Sequence, residues 1–189
     1  DSLSIELNYQ ALKEGNVLSI GDYRFRCIET PGHSPGHLCL YEPENKLLVA
    51  GDHLLGRITP NISAWFNDGS PLDDYLASLD KILPLDVRLV LPGHRQPFSN
   101  FRGRIRQLVH HHQLRNKEVF DILGRGKDQH AYLVASRMNW DLSYKSWDEF
   151  PVVQKWFATG EALAHLRFLE REGKVCRQTG DGIERYSLA

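Results

Sequence analysis

Apolar and polar residues alternate along the first part of the chain in a way that predicts short β-strands. Tyr23, Phe25 and Cys27 alternate with Arg24 and Arg26, and a period of two is typical of a strand with one buried face. Glycines and Pro43 mark turns between such runs. The pattern therefore predicts extended structure over residues 5–29, followed by strands over 37–41 and 47–50, which together form a β-meander.

Further along, apolar residues recur every three or four positions, which predicts helices. The first predicted helix covers residues 71–83, with Ser70 as its N-cap and Pro71 at its first position. Its apolar stripe consists of Leu72, Tyr75, Leu76, Leu79, Ile82 and Leu83. Residues 87–91 are nearly all apolar and predict a short strand buried on both faces. A second, longer helix is predicted over residues 102–123.

The last third of the chain predicts a separate small unit. Gly124–Lys127 is the best candidate boundary, so the predicted domains are residues 1–124 and 125–189. The second unit has three predicted helices followed by a two-stranded hairpin, an order typical of a winged helix-turn-helix. Asp128 is predicted to cap the first of these helices and Thr159 the third, which Gly173 ends.

The composition and net charge disfavour some classes of function. The 189 residues are 41% hydrophobic and carry a formal net charge of −1, as an ordinary globular protein does. This charge provides no general attraction to nucleic acid or to anionic membranes, and no apolar run reaches the roughly 20 residues that span a bilayer. Cys27, Cys39 and Cys176 form no CxxC pair, which favours a reducing, cytoplasmic location.

The side chains that are candidates for a functional site lie where predicted strands end. His33, Asp52 and His94 each follow an apolar run and a glycine, and apolar runs do not bury such side chains cheaply. Two imidazoles and a carboxylate suit zinc or a similar divalent ion, so we predict that these three side chains are metal ligands. The run 110–112 is three successive histidines on one helix, which cannot converge on one ion and are expected at the surface or its boundary.

Four motifs together carry a resemblance to a known family. They are the sequences TPGHSPGH, LLVAGD, PLDDYLASLDKI and VLPGH, beginning at residues 30, 47, 71 and 90. The chain resembles a metallo-β-lactamase-fold hydrolase with a C-terminal winged-helix appendage. The resemblance implies an α/β (α+β) fold class built as a four-layer α/β/β/α sandwich with its metals at one edge of the sheets.

The resemblance also implies roles for individual residues. His33 would bind one zinc ion, Asp52 would bridge two ions, and His94 would bind the second; other divalent metals are also compatible. His37 and His53 would not be ligands. In this family a hydroxide held between the ions attacks a carbonyl or phosphoryl group, and no further catalytic residue is assigned.

The family's other ligands come from an HxHxDH segment, which this sequence lacks. We therefore expect half of the sandwich, with an open site for one weakly bound ion and little hydrolysis by the chain alone. The inner face of its sheet is expected to be covered by a missing N-terminal half or by another copy. A small-molecule ester, thioester or lactone, or a phosphodiester, is the expected substrate, with no membrane partner. Asn61, Trp65 and Phe66 are candidate contacts.

Two other classes remain open. A nucleic-acid-binding or RNA-cleaving module would use the winged helix, although the helix that would enter a groove has a mixed-charge face with Glu161, Arg167 and Glu170. A non-catalytic interaction domain would use the Pro-Gly-His segments only as turns.

Overall fold

The fold is described from a computed structural model, over residues 9–65, 69–141 and 143–189. Its amino-terminal part is built on a five-stranded sheet. The strands are β1 (Val17–Ile20), β2 (Tyr23–Glu29), β3 (Leu38–Glu42), β4 (Leu47–Gly51) and β5 (Leu89–Pro92). Strands β1 to β4 form the predicted antiparallel meander, and β5 adds parallel to β4. Residues 9–16 are not in a strand, so the predicted extended segment is shorter, and residues 5–8 lie outside the described residues.

The direction of these strands positions the site. Since each of β2–β3 and β3–β4 is antiparallel, β2 runs in the same direction as β4, and β5 runs parallel to β4. The carboxyl ends of β2, β4 and β5 therefore lie at the same edge of the sheet. The loops that follow these three strands carry His33, Asp52 and His94.

The two faces of the sheet differ in burial. One face belongs to the main core, to which it contributes Ile28, Cys39, Tyr41, Leu48, Ala50 and Val90. The other face is also apolar but remains partly exposed, at Leu38, Leu40, Leu47, Val49, Leu89 and Leu91. The prediction that the strand around Val90 is buried on both faces is wrong, because β5 ends the sheet and only its Val90 is fully buried.

Two helices cover the core face. Helix α1 (Pro71–Ile82) buries Leu72, Tyr75 and Leu79 against the sheet, close to the predicted range. Ser70 occupies the predicted N-cap position, but its side chain makes no capping hydrogen bond. Helix α2 (Phe101–Leu123) begins in this core and ends in a second one.

The C-terminal part differs from the predicted three helices. It contains α3 (Ala131–Arg137), a single 3₁₀ turn (Trp147–Glu149) and α4 (Val152–Arg171). The Asp128 cap is wrong, because the His130 side chain accepts the hydrogen bond from the Leu133 N–H. Thr159 does not start a helix either. Its hydroxyl donates to the Lys155 carbonyl at 2.7 Å, one turn earlier, so α4 continues through it.

The chain ends in the predicted hairpin, formed by β6 (Val175–Gly180) and β7 (Ile183–Leu188). Gly173 follows α4 with a positive φ of 70°, as predicted for a helix-ending glycine. The second core joins α2, α3, α4 and the hairpin. The winged-helix assignment and the boundary after residue 124 stay predictions. In the described part of the chain, no helix is long and apolar enough to cross a membrane.

Candidate metal centre

The three strand-end side chains predicted as metal ligands lie together. Nε2 of His33 is 3.7 Å from Oδ2 of Asp52, and Nε2 of His94 is 3.4 Å from the same oxygen. The Gly93 N–H donates to the Gly51 carbonyl at 2.7 Å, which joins the ends of β4 and β5. Sheet topology thus brings together residues that are 19 and 42 positions apart in sequence (52 − 33 and 94 − 52).

Glycines allow this close approach. A Cβ at Gly93 would lie 2.6 Å from Asp52 Oδ1, and one at Gly51 would lie 2.7 Å from His37 Nε2. Gly51 also has a φ of 49°, a left-handed conformation that other residues rarely adopt. A larger residue at either position would push apart the ligand-bearing loops.

Hydrogen bonding determines which nitrogen of His33 faces the carboxylate. Nδ1 of His33 lies 2.9 Å from the Asn61 carbonyl oxygen, which can only accept, so this nitrogen carries the proton. In the neutral imidazole, Nε2 therefore presents a lone pair toward Asp52. A lone pair facing a carboxylate is unfavourable unless a cation lies between them. The same arrangement, with Nδ1–H held by a second group, is usual for metal-binding histidines.

The separations and burial also fit a metal centre. Two ligands of a tetrahedral zinc ion, each bonded at about 2.0–2.1 Å, are about 3.3 Å apart. The 3.4 Å and 3.7 Å distances from Asp52 to the two imidazoles are close to this value. Asp52 Oδ1 is buried and has no hydrogen-bond partner among the described residues. No three described His, Cys, Asp or Glu side chains form a complete set around one ion, so the donors fit a partial centre with a shared carboxylate.

Helix α1 holds two of the ligand-bearing loops. The Tyr75 hydroxyl donates to the His53 carbonyl at 3.0 Å, next to Asp52, and the Ser78 hydroxyl donates to the Pro31 carbonyl at 2.9 Å. Gly32 lies against the Tyr75 backbone, where a Cβ would be 2.6 Å from Tyr75 Cα. The sequence pattern identified Tyr75 only as part of an apolar stripe, and nothing local in sequence indicates these contacts.

A second support comes from α2. Arg104 donates from Nε to the Leu55 carbonyl at 2.7 Å and from Nη2 to the Ile58 carbonyl at 2.8 Å. Burial lowers the pKa of this guanidinium, although it stays above any physiological pH. The arginine therefore fixes the segment that leads to Asn61, whose carbonyl orients His33.

The remaining nearby histidines are packed. His37 shares a hydrogen bond with the Thr30 hydroxyl at 2.8 Å, and burial together with His33 lowers its pKa. His53 is completely buried, and burial lowers its pKa to about 3. In the 110–112 run, His110 is exposed as expected, but His112 is in the core at 2% exposure.

The candidate substrate contacts have different surroundings. Asn61 borders a cleft beside the site. Trp65 instead stacks on Trp156, with ring centroids 4.8 Å apart, and packs against Gly160 of α4. Phe66 lies outside the described residues.

Together these features define a class of protein: a mixed α/β fold with a partial metal-ligand set at the carboxyl edge of its sheet. Comparison with known proteins gives the family. Residues 6–94 match the metallo-beta-lactamase superfamily, and residues 148–189 match the metallo-beta-lactamase-like C-terminal domain. The chain therefore contains a metallo-β-lactamase superfamily domain, followed after the sheet by a metallo-beta-lactamase-like C-terminal domain.

Two relatives with similar sequences illustrate this family match. The chain is 32% identical over 110 residues to an atrochrysone carboxyl ACP thioesterase from Aspergillus fumigatus, covering 58% of this chain and 33% of that protein. It is 37% identical over 105 residues to an uncharacterized protein from Aquifex aeolicus, covering 50% of this chain and 48% of that protein. It thus spans a third to about half the length of these relatives.

Solved structures show the same fold. A beta-lactamase domain protein from Burkholderia ambifaria matches with a TM-score of 0.84 and 36% identity, over 96% of this chain and 53% of that one. A metallo-beta-lactamase family protein from Thermus thermophilus matches with a TM-score of 0.80 and 32% identity, over 97% and 55%. Both matches extend across the sheet and the C-terminal part. The predicted α/β class and superfamily are confirmed.

Proposed function

We propose that the chain forms part of a metal-dependent hydrolase, in which His33, Asp52 and His94 are its share of the metal ligands. The observation that carries this proposal is the shared position of two imidazole nitrogens at 3.4 Å and 3.7 Å from one Asp52 oxygen. In this proposal Asp52 would be shared between two ions, and each histidine would bind one of them. Zinc is the preferred ion for this donor set, and other divalent metals are compatible.

The chemistry follows from the donors. A divalent ion held by His33, Asp52 and His94 would polarise a carbonyl or phosphoryl oxygen and would make water a better nucleophile near neutral pH. The protein's own residues orient the ligands: Asn61 fixes the tautomer of His33, and Tyr75 and Ser78 hold the loops. Among carbonyl and phosphoryl substrates, the thioesterase name of the Aspergillus fumigatus relative favours an acyl ester or thioester.

Metal titration tests the ligand assignment. Zinc binding to the chain is measured by isothermal titration calorimetry and compared with Asp52→Asn, which keeps the shape but removes the charge. We expect the affinity to fall about a hundredfold or more, since even residues that only orient ligands are worth 10–100-fold. His110→Asn, at an exposed histidine away from Asp52, is the matched control and should bind as the parent does. Equal affinity of the parent and Asp52→Asn would contradict the assignment.

We also propose that a second β-layer completes the domain. The sequence lacks HxHxDH, and the apolar face at Leu40, Val49 and Leu91 is partly exposed along three paired strands. A contiguous apolar face of this kind is unusual on a free monomer. The remaining half of the sandwich would cover it and supply further ligands, while a second copy of the chain would cover it without them.

Two measurements separate these arrangements. Sedimentation of the chain and of Val49→Glu shows whether the face mediates self-association, in which case only the parent is a dimer. Adding the amino-terminal part of a relative's domain as a separate polypeptide should raise zinc stoichiometry to two and produce thioester hydrolysis. Two tightly bound zinc ions and full turnover by the chain alone would contradict incompleteness.

A nucleic-acid-binding or RNA-cleaving module is the second candidate. Its support would be the appended helical unit, but the cations of α4 and the hairpin are largely paired. Arg177 of the hairpin contacts Glu170 at 3.0 Å and Glu184 at 2.8 Å, and Arg171 of α4 contacts Asp73 at 3.4 Å. Tight, strongly salt-dependent binding of duplex nucleic acid would favour this candidate instead.

A further inference from the structure

A cleft of about 970 Å³ runs between the loop after β4, helix α2 and helix α4. Its sheet-side wall includes Asn61 and Arg95. Asn61 is the residue whose carbonyl orients His33, and Arg95 directly follows His94. The cleft therefore opens beside two of the proposed ligands. Its size lies at the upper end of the range for small-molecule sites.

Three of the residues that line the cleft are large apolar side chains that remain accessible. Ile58 is 42% exposed, Leu114 is 54% exposed and Phe157 is 41% exposed. They come from three different elements: the loop after β4, α2 and α4. Accessible apolar side chains that converge from separate elements are typical of a binding site.

Two charged residues of the cleft, Arg95 and Asp141, make no ion pair with a described residue. Arg115 is neutralised by Glu161 at 3.3 Å and by Glu118, and its guanidinium carbon lies 4.3 Å from the Trp140 ring centroid. Arg95 makes no ion pair with any described residue, and its backbone has a φ of 70°. Asp141, on the segment after α3, is the other charged cleft residue without an ion pair in the described part of the chain. Arg95, beside His94, can therefore pair with one anionic group of a ligand, whereas the carboxylates of Glu161 and Asp141 disfavour a polyanion.

We infer that this cleft binds the apolar acyl group of an ester or thioester substrate, with the carbonyl end directed toward Arg95 and the proposed metal ligands. This inference rests on the proposed function, since hydrolysis adds water, breaks the acyl–oxygen or acyl–sulfur bond, and releases a carboxylic acid with an alcohol or thiol. The released carboxylate appears at the Arg95 end, while Ile58, Leu114 and Phe157 hold the chain. Trp140 and Arg115 also line the cleft.

Binding of a product analogue tests the inference without turnover. Octanoate is titrated into the EDTA-treated chain and followed by ligand-observed NMR, with acetate and octanol as comparisons. Phe157→Gln removes apolar contact and should weaken octanoate binding about tenfold. Arg95→Asn keeps a residue that tolerates positive φ and should weaken octanoate about threefold, as expected for an exposed ion pair, while leaving octanol binding unchanged.

Matched variants show that the effects are local. Val153→Gln changes another exposed apolar residue of α4, and Arg106→Asn changes an exposed cation of α2; both should bind octanoate as the parent does. Acetate binding as tight as octanoate binding, equal losses in all four variants, or tighter salt-dependent binding of a short oligoribonucleotide would overturn the inference. Octanoate binding without zinc binding would leave the cleft assignment intact and reject the proposed function. Conversely, if the chain supplemented with the amino-terminal polypeptide showed zinc-dependent hydrolysis that did not depend on Phe157, the cleft assignment would be rejected and the proposed function would stand.

Discussion

Two groups of histidines in this protein have opposite surroundings. His33 and His94 are 32% and 66% exposed at strand ends, and each directs Nε2 at Asp52. His53, His112 and His165 are at most 2% exposed. The first group faces a carboxylate that a cation can share, whereas the second is surrounded mainly by rings and apolar side chains.

The buried group forms a row through the protein. Ring centroids are 5.1 Å apart from His53 to Tyr75, 5.4 Å from Tyr75 to His112, and 5.5 Å from His112 to His165. Nδ1 of His165 shares a hydrogen bond with Asn116 Oδ1 at 2.6 Å, whereas neither ring nitrogen of His112 has a partner among the described residues. Burial lowers the pKa of His112 to about 3 and that of His165 well below its usual value. The same residue type is thus a candidate ligand at a strand end and a neutral packing group in the core.

Replacing one histidine of each group by alanine should affect stability in one variant and zinc affinity in the other. His112→Ala leaves a cavity in the core and should lower the free energy of unfolding by about 3 kcal/mol, with zinc affinity nearly unchanged. His94→Ala should weaken zinc binding strongly and change stability by less than about 0.5 kcal/mol, because the side chain is exposed. Urea unfolding and calorimetry measure the two quantities. If His112→Ala lost zinc and kept its stability, the division into two groups would be wrong.

The pH dependence of stability sharpens the contrast. Above pH 6.5 His112 is neutral in both the folded and the unfolded chain, so its burial does not make the free energy of unfolding depend on pH. As pH falls from 6.5 toward about 3, the unfolded chain takes up a proton that the folded chain does not, so stability decreases. This one histidine should account for a loss of about 2 kcal/mol at pH 5.

The variant His112→Phe isolates this effect, because it fills the volume without a titrating group. Its free energy of unfolding, measured by urea titration from pH 7 to pH 4, should decrease less steeply than that of the parent. Identical slopes for the two proteins would show that the His112 side chain does not remain neutral in the folded chain.

The smallest effect is expected at the point where the two groups meet. Tyr75→Phe removes the hydroxyl that donates to the His53 carbonyl, beside Asp52, and should cost about 1 kcal/mol of stability. It should also weaken zinc binding several-fold, because one ligand-bearing loop loses a support. Tyr132→Phe, at a 45% exposed tyrosine of α3, is the control and should change neither property. If Tyr75→Phe left the zinc affinity unchanged, the Tyr75 hydroxyl of α1 would not support the metal ligands.

The local sequence was enough to predict the elements in which apolar residues recur with a strong period. The stripe that includes Leu72, Tyr75 and Leu79 identified α1, and Gly173 marked the end of α4. The meander and the parallel fifth strand then explain why three distant Pro-Gly-His and Gly-Asp segments meet, since β2, β4 and β5 end at one edge. The choice of His33, Asp52 and His94 rested on where apolar runs stop, and the family resemblance set aside the neighbouring His37 and His53.

Local rules failed where tertiary contacts compete with them. Thr159 followed by Gly160 resembles a helix start, but its hydroxyl bonds one turn back, and the missing Cβ of Gly160 makes room for the Trp65 indole. A strand that is apolar throughout resembles a central strand, yet β5 ends its sheet and leaves Leu89 and Leu91 partly exposed. Neither outcome is encoded in the neighbouring residues alone.

By itself, the sequence was enough to predict the β-meander, α1, the superfamily and the three candidate ligands, because motif spacing and strand-end position can be read from the residues alone. Only the tertiary structure decided that His112 is buried while His110 is exposed, that Asn61 orients His33, and that Tyr75 supports the Asp52 loop. These depend on which faces pack together across tens of residues. Burial and hydrogen-bond partners, which set the role of each histidine, exist only once the chain has folded.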